Sequence, residues 1–333
     1  MLVSWPTDKV LHTHIWVSTL VELSMSRGAT IEQLLKGTGI FAQDLTQLNH
    51  NVSVQQFHVL INNCQKYTRS QDLSFMLGRR LLSVNNSEFA TLLLNCRTLT
   101  GLFRILILYQ AMIFPLAFIH IRRADNKHYI LLNTSYNDEN QQFIYEVFCS
   151  LIYHCCKTMS AAQPIVQFQF EHSRPRNIYQ YEENLGHRLQ FNAHHNAIVF
   201  QSAELNVLNK QASKLARQRL LVICRQTQQC DSNTGIKQFL HMAINRGHIV
   251  NFEQAAKRLD MSPATLKRRL STAKLRFQHI HDNVNKQQAV FELVICNNNN
   301  ETVAKHLNYS DVTNFRRAFK RWTGYTPKEI KGT

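Results

Sequence analysis

The chain has 333 residues, 44% of them hydrophobic, which excludes a disordered chain and leaves room for two folded domains. Its formal net charge of +16 calls for an anionic partner. The charge is unevenly placed: residues 251–333 hold 15 Lys/Arg against 7 Asp/Glu, so one quarter of the chain carries half of the excess.

The opening MLVSWPTDKVLHTHIW puts charges and histidines where an export signal needs an apolar run. The most apolar stretch, LFRILILYQAMIFPLAFIHI at 102–121, contains Arg104, Gln110 and Pro115 and is followed by Arg122 and Arg123. It reads as a core helix running into a strand at Pro115, not as a membrane span. The eight cysteines (Cys64, Cys96, Cys149, Cys155, Cys156, Cys224, Cys230 and Cys296) form no C-x-x-C pair. Reduced thiols in a cytoplasmic protein are expected.

Residues 10–110 read as helices. VLHTHIWVSTLVELSMSRG stops at Gly28, and ATIEQLLKGTG stops at Gly37 and Gly39. Ser53 is placed to cap a helix with Phe57, Leu60, Ile61 and Cys64 on one face. Leu73–Leu82, Glu88–Asn95 and Leu99–Ile113 are helical by the same reading. FPLAFIHIRR and KHYILLNTS then alternate around a turn at Ala124–Asn126, which predicts a hairpin. A long helix is expected from Gln141 to Met159, a strand in PIVQFQFEH, a helix in RNIYQYEENLG closed by Gly186, and a second hairpin in RLQFNAHHNAIVF turning at His194–Asn196. The expected fold is therefore two domains. Residues 1–205 are α+β, helices first and then a small antiparallel sheet. Residues 206–234 are a helical linker, with its helix at Leu208–Thr227. Residues 235–333 are all-α.

Two segments of that last domain share one grammar. In FEQAAKRLDMSPATLKRRLS (252–271), Ala255, Ala256 and Leu259 point inward and Asp260–Met261 breaks the helix. Ser262 caps the next helix, and Pro263 takes its first position, where no N–H is needed. Leu266 and Leu270 face the core. Ala264, Thr265, Lys267, Arg268, Arg269 and Ser271 are left as candidate contacts. In ETVAKHLNYSDVTNFRRAFKRW (301–322), Val303, Ala304 and Leu307 point inward, Asn308 turns the chain and Ser310 is the expected cap. Phe315, Ala318, Phe319 and Trp322 form one face; Thr313, Asn314, Arg316, Arg317, Lys320 and Arg321 spread over the other. These are two helix-turn-helix units, with recognition helices at 263–271 and 311–322. A helix near Asn285–Ile295 joins them, and two units held rigidly could enter successive major grooves ~34 Å apart. Arg and Asn suit base edges; Lys, Ser and Thr suit phosphates.

VAKHLNYSDVTNFRRAFKRWTGYTPKEI resembles the signature of the AraC/XylS family of bacterial transcription regulators. Phe315, Arg317, Phe319, Lys320, Arg321, Gly324, Thr326 and Pro327 fit its pattern in register, and AAKRLDMSPATLKRRL is similar to the family's first unit. Asn308 stands where a Gly is usual, and Ile330 and Lys331 replace the usual closing aromatic and arginine. SRGATIEQLLKGTGI and GHRLQFNAHHNAIVF resemble the two ends of the arabinose-binding-type domain of one branch of this family, a helix-first domain unlike the cupin barrel. The resemblance implies a regulator that binds double-stranded promoter DNA, with RNA polymerase as a further partner. It also implies an N-terminal domain that dimerises, binds an unidentified small-molecule effector, or both.

The rival reading is a non-specific nucleic-acid-coating protein, in which charge matters and base contacts do not. An enzyme is not expected. DNA-repair relatives need a Pro-Cys-His-Arg site, and Asn95-Cys96-Arg97 lacks the proline and the histidine. In His154-Cys155-Cys156, Cys156 shares a helical stripe with Cys149, Ile152 and Met159 and reads as core. His194-His195 reads as an exposed turn. The apolar residues of 102–121, 129–132 and 143–153 read as core rather than as pocket lining. No cofactor or metal motif is present.

Overall fold

A computed structural model describes residues 2–47, 49–68, 70–82, 88–159, 165–231 and 233–331, with the side chains of 2, 227–231 and 233 excepted. The chain divides into two compact units, one of Met1–Arg122 and Asn126–Ile236, the other built on Lys237–Thr333.

The first unit opens with strands β1 (Leu2–Ser4) and β2 (Lys9–His12), then helices α1 (Ser18–Met25) and α2 (Ile31–Leu35), then β3 (Asn51–Ser53). Helices α3 (Val54–Tyr67), α4 (Leu73–Arg80), α5 (Glu88–Leu94), α6 (Leu99–Leu108) and α7 (Gln110–Ile113) follow. The hairpin β4 (Ala117–Ala124) and β5 (Lys127–Thr134) leads into α8 (Gln141–Met159), β6 (Val166–Gln169), α9 (Ile178–Leu185), β7 (Leu189–Gln190) and β8 (Ala197–Gln201). Helix α10 (Lys214–Asp231) and β9 (Asn233–Gly235) close the unit. It is α+β, as expected. Ser53 caps α3 by accepting the Gln56 amide while Gln56 returns a bond to Ser53, and Phe57, Leu60, Ile61 and Cys64 are buried.

Three expectations fail for identifiable reasons. Residues 10–12 are not helix. Lys9–His12 pair antiparallel with Asn51–Ser53, and the Thr13 amide continues the pairing to the His50 carbonyl at 3.0 Å. The partner lies forty residues away, so local periodicity does not report it. Residues 188–200 are not a hairpin either. The sheet order is β4-β5-β8-β6-β7, with β7 parallel to β6 at the edge and β8 between β5 and β6. Ala197–Phe200 are apolar and buried on both faces, which suits the interior position, whereas Gln190 is exposed. His195 is consequently buried, not at an exposed turn. Finally, the helix expected at Leu208 starts at Lys214. The Asn209 amide instead donates to the carbonyls of Leu94 and Cys96 at 2.8 and 3.1 Å, holding the chain on α5. That helix buries Leu220 and Cys224 in the core of the first unit. Pro164, the first residue of the expected strand, lies outside the described residues.

The core is aromatic along its length. Trp16 meets Phe57 and Phe114 edge to face at 5.9 and 5.1 Å, and Phe114 meets Phe148 at 5.1 Å. Most of the apolar residues of 102–121 and 143–153 lie in this core, Leu102, Phe103, Phe148 and Ile152 among them, whereas Ile107 and Leu108 are exposed; no helix among the described residues is long and apolar enough to cross a membrane. Helices α4 and α8 cross closely at Gly78, where a Cβ would lie 2.3 Å from the Val147 carbonyl oxygen. Beside that crossing the buried Glu146 carboxylate accepts from Ser74, Tyr181 and Gln142, so α4, α8 and α9 share one polar anchor.

The Gly78 contact is backbone on backbone and has no flexible side chain to yield. Gly78→Ala should destabilise the first unit by about 1–3 kcal/mol, read as a lower midpoint in urea at unchanged slope.

Candidate nucleic-acid interface

The second unit is all-helical: α11 (Ile236–Asn245), α12 (Phe252–Arg258), α13 (Pro263–Thr272), α14 (Phe277–Val290, continued by a π turn to Ile295), α15 (Asn300–His306), α16 (Val312–Thr323) and α17 (Pro327–Ile330). Two pairs within it, α12–α13 and α15–α16, are built alike.

Each pair begins with an Asn cap. Asn251 accepts the Gln254 amide at 2.9 Å, and Asn299 accepts the Thr302 amide at 2.8 Å. Each pair turns on one left-handed polar residue, Asp260 (φ 54°) or Asn308 (φ 58°). In each the next amide reaches back to an alanine carbonyl: Met261 to Ala256 at 3.0 Å and Tyr309 to Ala304 at 2.9 Å. Both alanines are buried, and their small side chains suit a close approach of the paired helices. Asn308 thus fills the expected role, its short polar side chain tolerating the left-handed geometry.

The second helix of each pair is amphipathic. Helix α13 is capped by Ser262, which accepts the Thr265 amide at 3.2 Å, and Pro263 occupies its first turn. Leu266 and Leu270 are buried; Ala264, Lys267, Arg268, Arg269 and Ser271 are exposed. Thr265 is half-buried, its hydroxyl 2.9 Å from that of Ser262. Helix α16 buries Phe315, Ala318 and Phe319 and exposes Thr313, Asn314, Arg316, Arg317, Lys320 and Arg321. Phe315 and Phe319 sit in a small core with Val290, Leu293, Val303, Ala304 and Ile330. Tyr309 closes this core against Phe315 at 5.9 Å and Trp322 at 6.2 Å, and burial pushes its phenol up.

The cap of α16 is Asp311, not Ser310. Its carboxylate accepts the Asn314 backbone amide at 2.7 Å and the Asn314 side-chain amide at 2.6 Å. A carboxylate one residue further along also meets the positive end of the helix. Asn314 is therefore oriented before any partner arrives. Gly324, left-handed at φ 78°, ends α16, and Thr326 with Glu329 forms a capping box for α17. Glu329 is held below the usual carboxylate range by the Thr326 amide. Arg321 is engaged within the unit, its guanidinium 3.3 Å from Asp282 on α14. The sequence alone did not signal this brace, because the two residues are far apart in the chain.

Among the described residues no group of three or more His, Cys, Asp or Glu could hold a metal ion. Cys149, Cys155 and Cys156 are buried, and burial raises all three thiols, Cys156 to about 12. The side chain of Cys230 lies outside the described residues.

Two helix-turn-helix pairs with outward cationic faces define a DNA-binding domain of the tandem type. Comparison with known proteins agrees. The family described as "Arabinose-binding domain of AraC transcription regulator, N-term" matches residues 28–207, over half of the chain, and a "Helix-turn-helix domain" family matches residues 255–332. The chain belongs to the AraC family of transcription regulators. An uncharacterized HTH-type transcriptional regulator of Mycobacterium bovis is 24% identical over 337 residues, spanning 97% of both chains. The ornithine utilization regulator of Pseudomonas aeruginosa is 35% identical over 85 residues, about a quarter of its own length. The crystal structure of the transcriptional regulator CdpR from Pseudomonas aeruginosa aligns over 98% of this chain and 100% of its own, at 16% identity and a TM-score of 0.48. The protein is thus a DNA-binding transcription regulator, not an enzyme, with an effector-binding-type N-terminal domain.

Two outcomes follow from the local geometry. Asp311→Ala removes the cap of α16 and should cost the second unit about 1 kcal/mol, measured by thermal unfolding. In the native protein an aromatic disulfide reagent should label the exposed Cys296 and spare Cys155 and Cys156 until denaturant is added, as mapped by mass spectrometry.

Proposed function

We propose that the protein binds a bipartite promoter site in a sequence-specific way, with α13 and α16 entering successive major grooves ~34 Å apart on one face of the DNA. The observation that carries this reading is the repeated turn. The same backbone device sets both second helices against their partners, and both present cationic faces. The exposed faces supply Ala264, Thr265, Lys267, Arg268, Arg269 and Ser271 from α13 and Thr313, Asn314, Arg316, Arg317, Lys320 and Arg321 from α16. Asn314 and Arg317 are assigned to base edges, Asn to adenine and Arg to guanine; lysines and hydroxyls are assigned to phosphates. Arg321, already held by Asp282, belongs at the edge of the contact.

In this reading the first unit takes a small-molecule effector, pairs with a second copy, or both. The protein works in the cytoplasm as an activator that meets RNA polymerase at the promoter. The two matched families support the DNA-binding and effector-binding roles.

Binding of promoter and random duplexes at one fixed salt concentration tests the reading. A preference of about 10³ or more is expected, and a ratio near one would establish the coating protein instead. Arg317→Ala should cost about 1–3 kcal/mol and relax specificity at one position; a uniform loss over all sequences would make Arg317 a phosphate contact.

A further inference from the structure

A groove of about 810 Å³ opens at the C-terminal end of α13. Its floor is apolar. Leu270 and Leu275 are buried, and Phe252 and Phe277 meet edge to face at 5.6 Å. Its rim carries Lys267, Lys274 and Arg276 together with the polar Ser271 and Gln278, and no acidic residue lines it. Lys267 and Ser271 also belong to the exposed face of α13, so the groove continues the surface assigned to DNA.

The internal repeat singles out Arg276. Beyond each second helix a left-handed residue, Lys274 (φ 58°) or Gly324 (φ 78°), is followed two positions later by the N-cap residue of the next helix, so Arg276 corresponds in place to Thr326. Thr326 caps α17 through its hydroxyl, whereas Arg276 occupies the N-cap position of α14 and makes no side-chain cap bond. Where Thr326 stabilises the start of its helix, Arg276 supplies a positive charge instead. Lys274 is a second such case, a lysine in a backbone conformation that favours glycine.

We infer that this groove seats the sugar–phosphate backbone of the DNA at the edge of the major groove entered by α13, an inference that rests on the DNA-reading role proposed above. Arg276 and Lys274 pair with successive phosphates, and the phenyl and leucine floor packs against the deoxyribose between them. The contact carries no sequence information; it fixes the register of α13 on the duplex. The cationic rim disfavours a cationic partner. An acidic protein segment would satisfy the same charges, but the groove is continuous with the Lys267 and Ser271 face, and this favours DNA.

The test uses the full-length protein, a promoter duplex and a random duplex of equal length, and a salt titration of each. Arg276→Ser restores the missing cap, so its thermal midpoint should not fall. Its affinity should drop by a similar factor on both duplexes, and the slope of log affinity against log salt should shrink by about one. Arg276→Lys should keep the wild-type slope, and Lys274→Gly should lose about one unit while remaining folded. An unchanged affinity and slope for Arg276→Ser would overturn the inference and leave the groove to an acidic protein partner. So would a loss confined to the promoter duplex. If the wild-type chain shows no promoter preference, the sequence-specific reading fails, and the slope comparison on random DNA still decides the groove.

Discussion

The second unit depends on burying one aromatic stripe. Phe315 and Phe319 are fully enclosed by residues from α14, α15 and α17, and no other orientation of α16 hides two phenyl rings from water. Once they are inside, the helical period puts Thr313, Arg316, Arg317 and Lys320 outside. The hydrophobic effect thus holds four of the polar and basic side chains at the surface without any of them contributing to the core. The mutual repulsion of Arg316, Arg317 and Lys320 is a cost to the fold, offset by the rings behind them. An anionic partner would relieve it.

Orientation needs more than an inward face. The left-handed residues Asp260 and Asn308, each followed by an amide bonded to an alanine carbonyl, set the angle between the helices of each pair. Small residues at Ala256 and Ala304 let the backbones approach. Helix α14 spans the two pairs, packs on α16, and is tied to it by the Asp282–Arg321 pair. That pair is largely exposed on the arginine side and adds little energy. Its effect is to hold the end of α16 in one place.

Most of the second unit was legible in the sequence because its determinants are local. Caps, a proline at the first helical turn, a turn residue and a four-residue apolar spacing all act within about ten positions. The cap of α16 was misplaced by one residue, since Ser310 and Asp311 are both good caps and only geometry separates them. In the first unit the errors share one physical origin. The pairing of Lys9–His12 with Asn51–Ser53, the insertion of β8 between β5 and β6, and the anchoring of Asn209 on α5 are all long-range hydrogen bonds. Alternation of apolar and polar residues marks a strand but does not name its neighbour. The long helix α8 was legible to its ends, because nineteen residues of consistent pattern outweigh any single distant contact.

Whether both second helices read DNA together is measured most directly by selecting binding sites from a random duplex library with the full-length protein. Two blocks of constrained bases are expected, with centres about one helical turn, roughly 10 bp, apart. A single constrained block would show that only one helix reads sequence, and an unconstrained pool would contradict sequence-specific binding altogether.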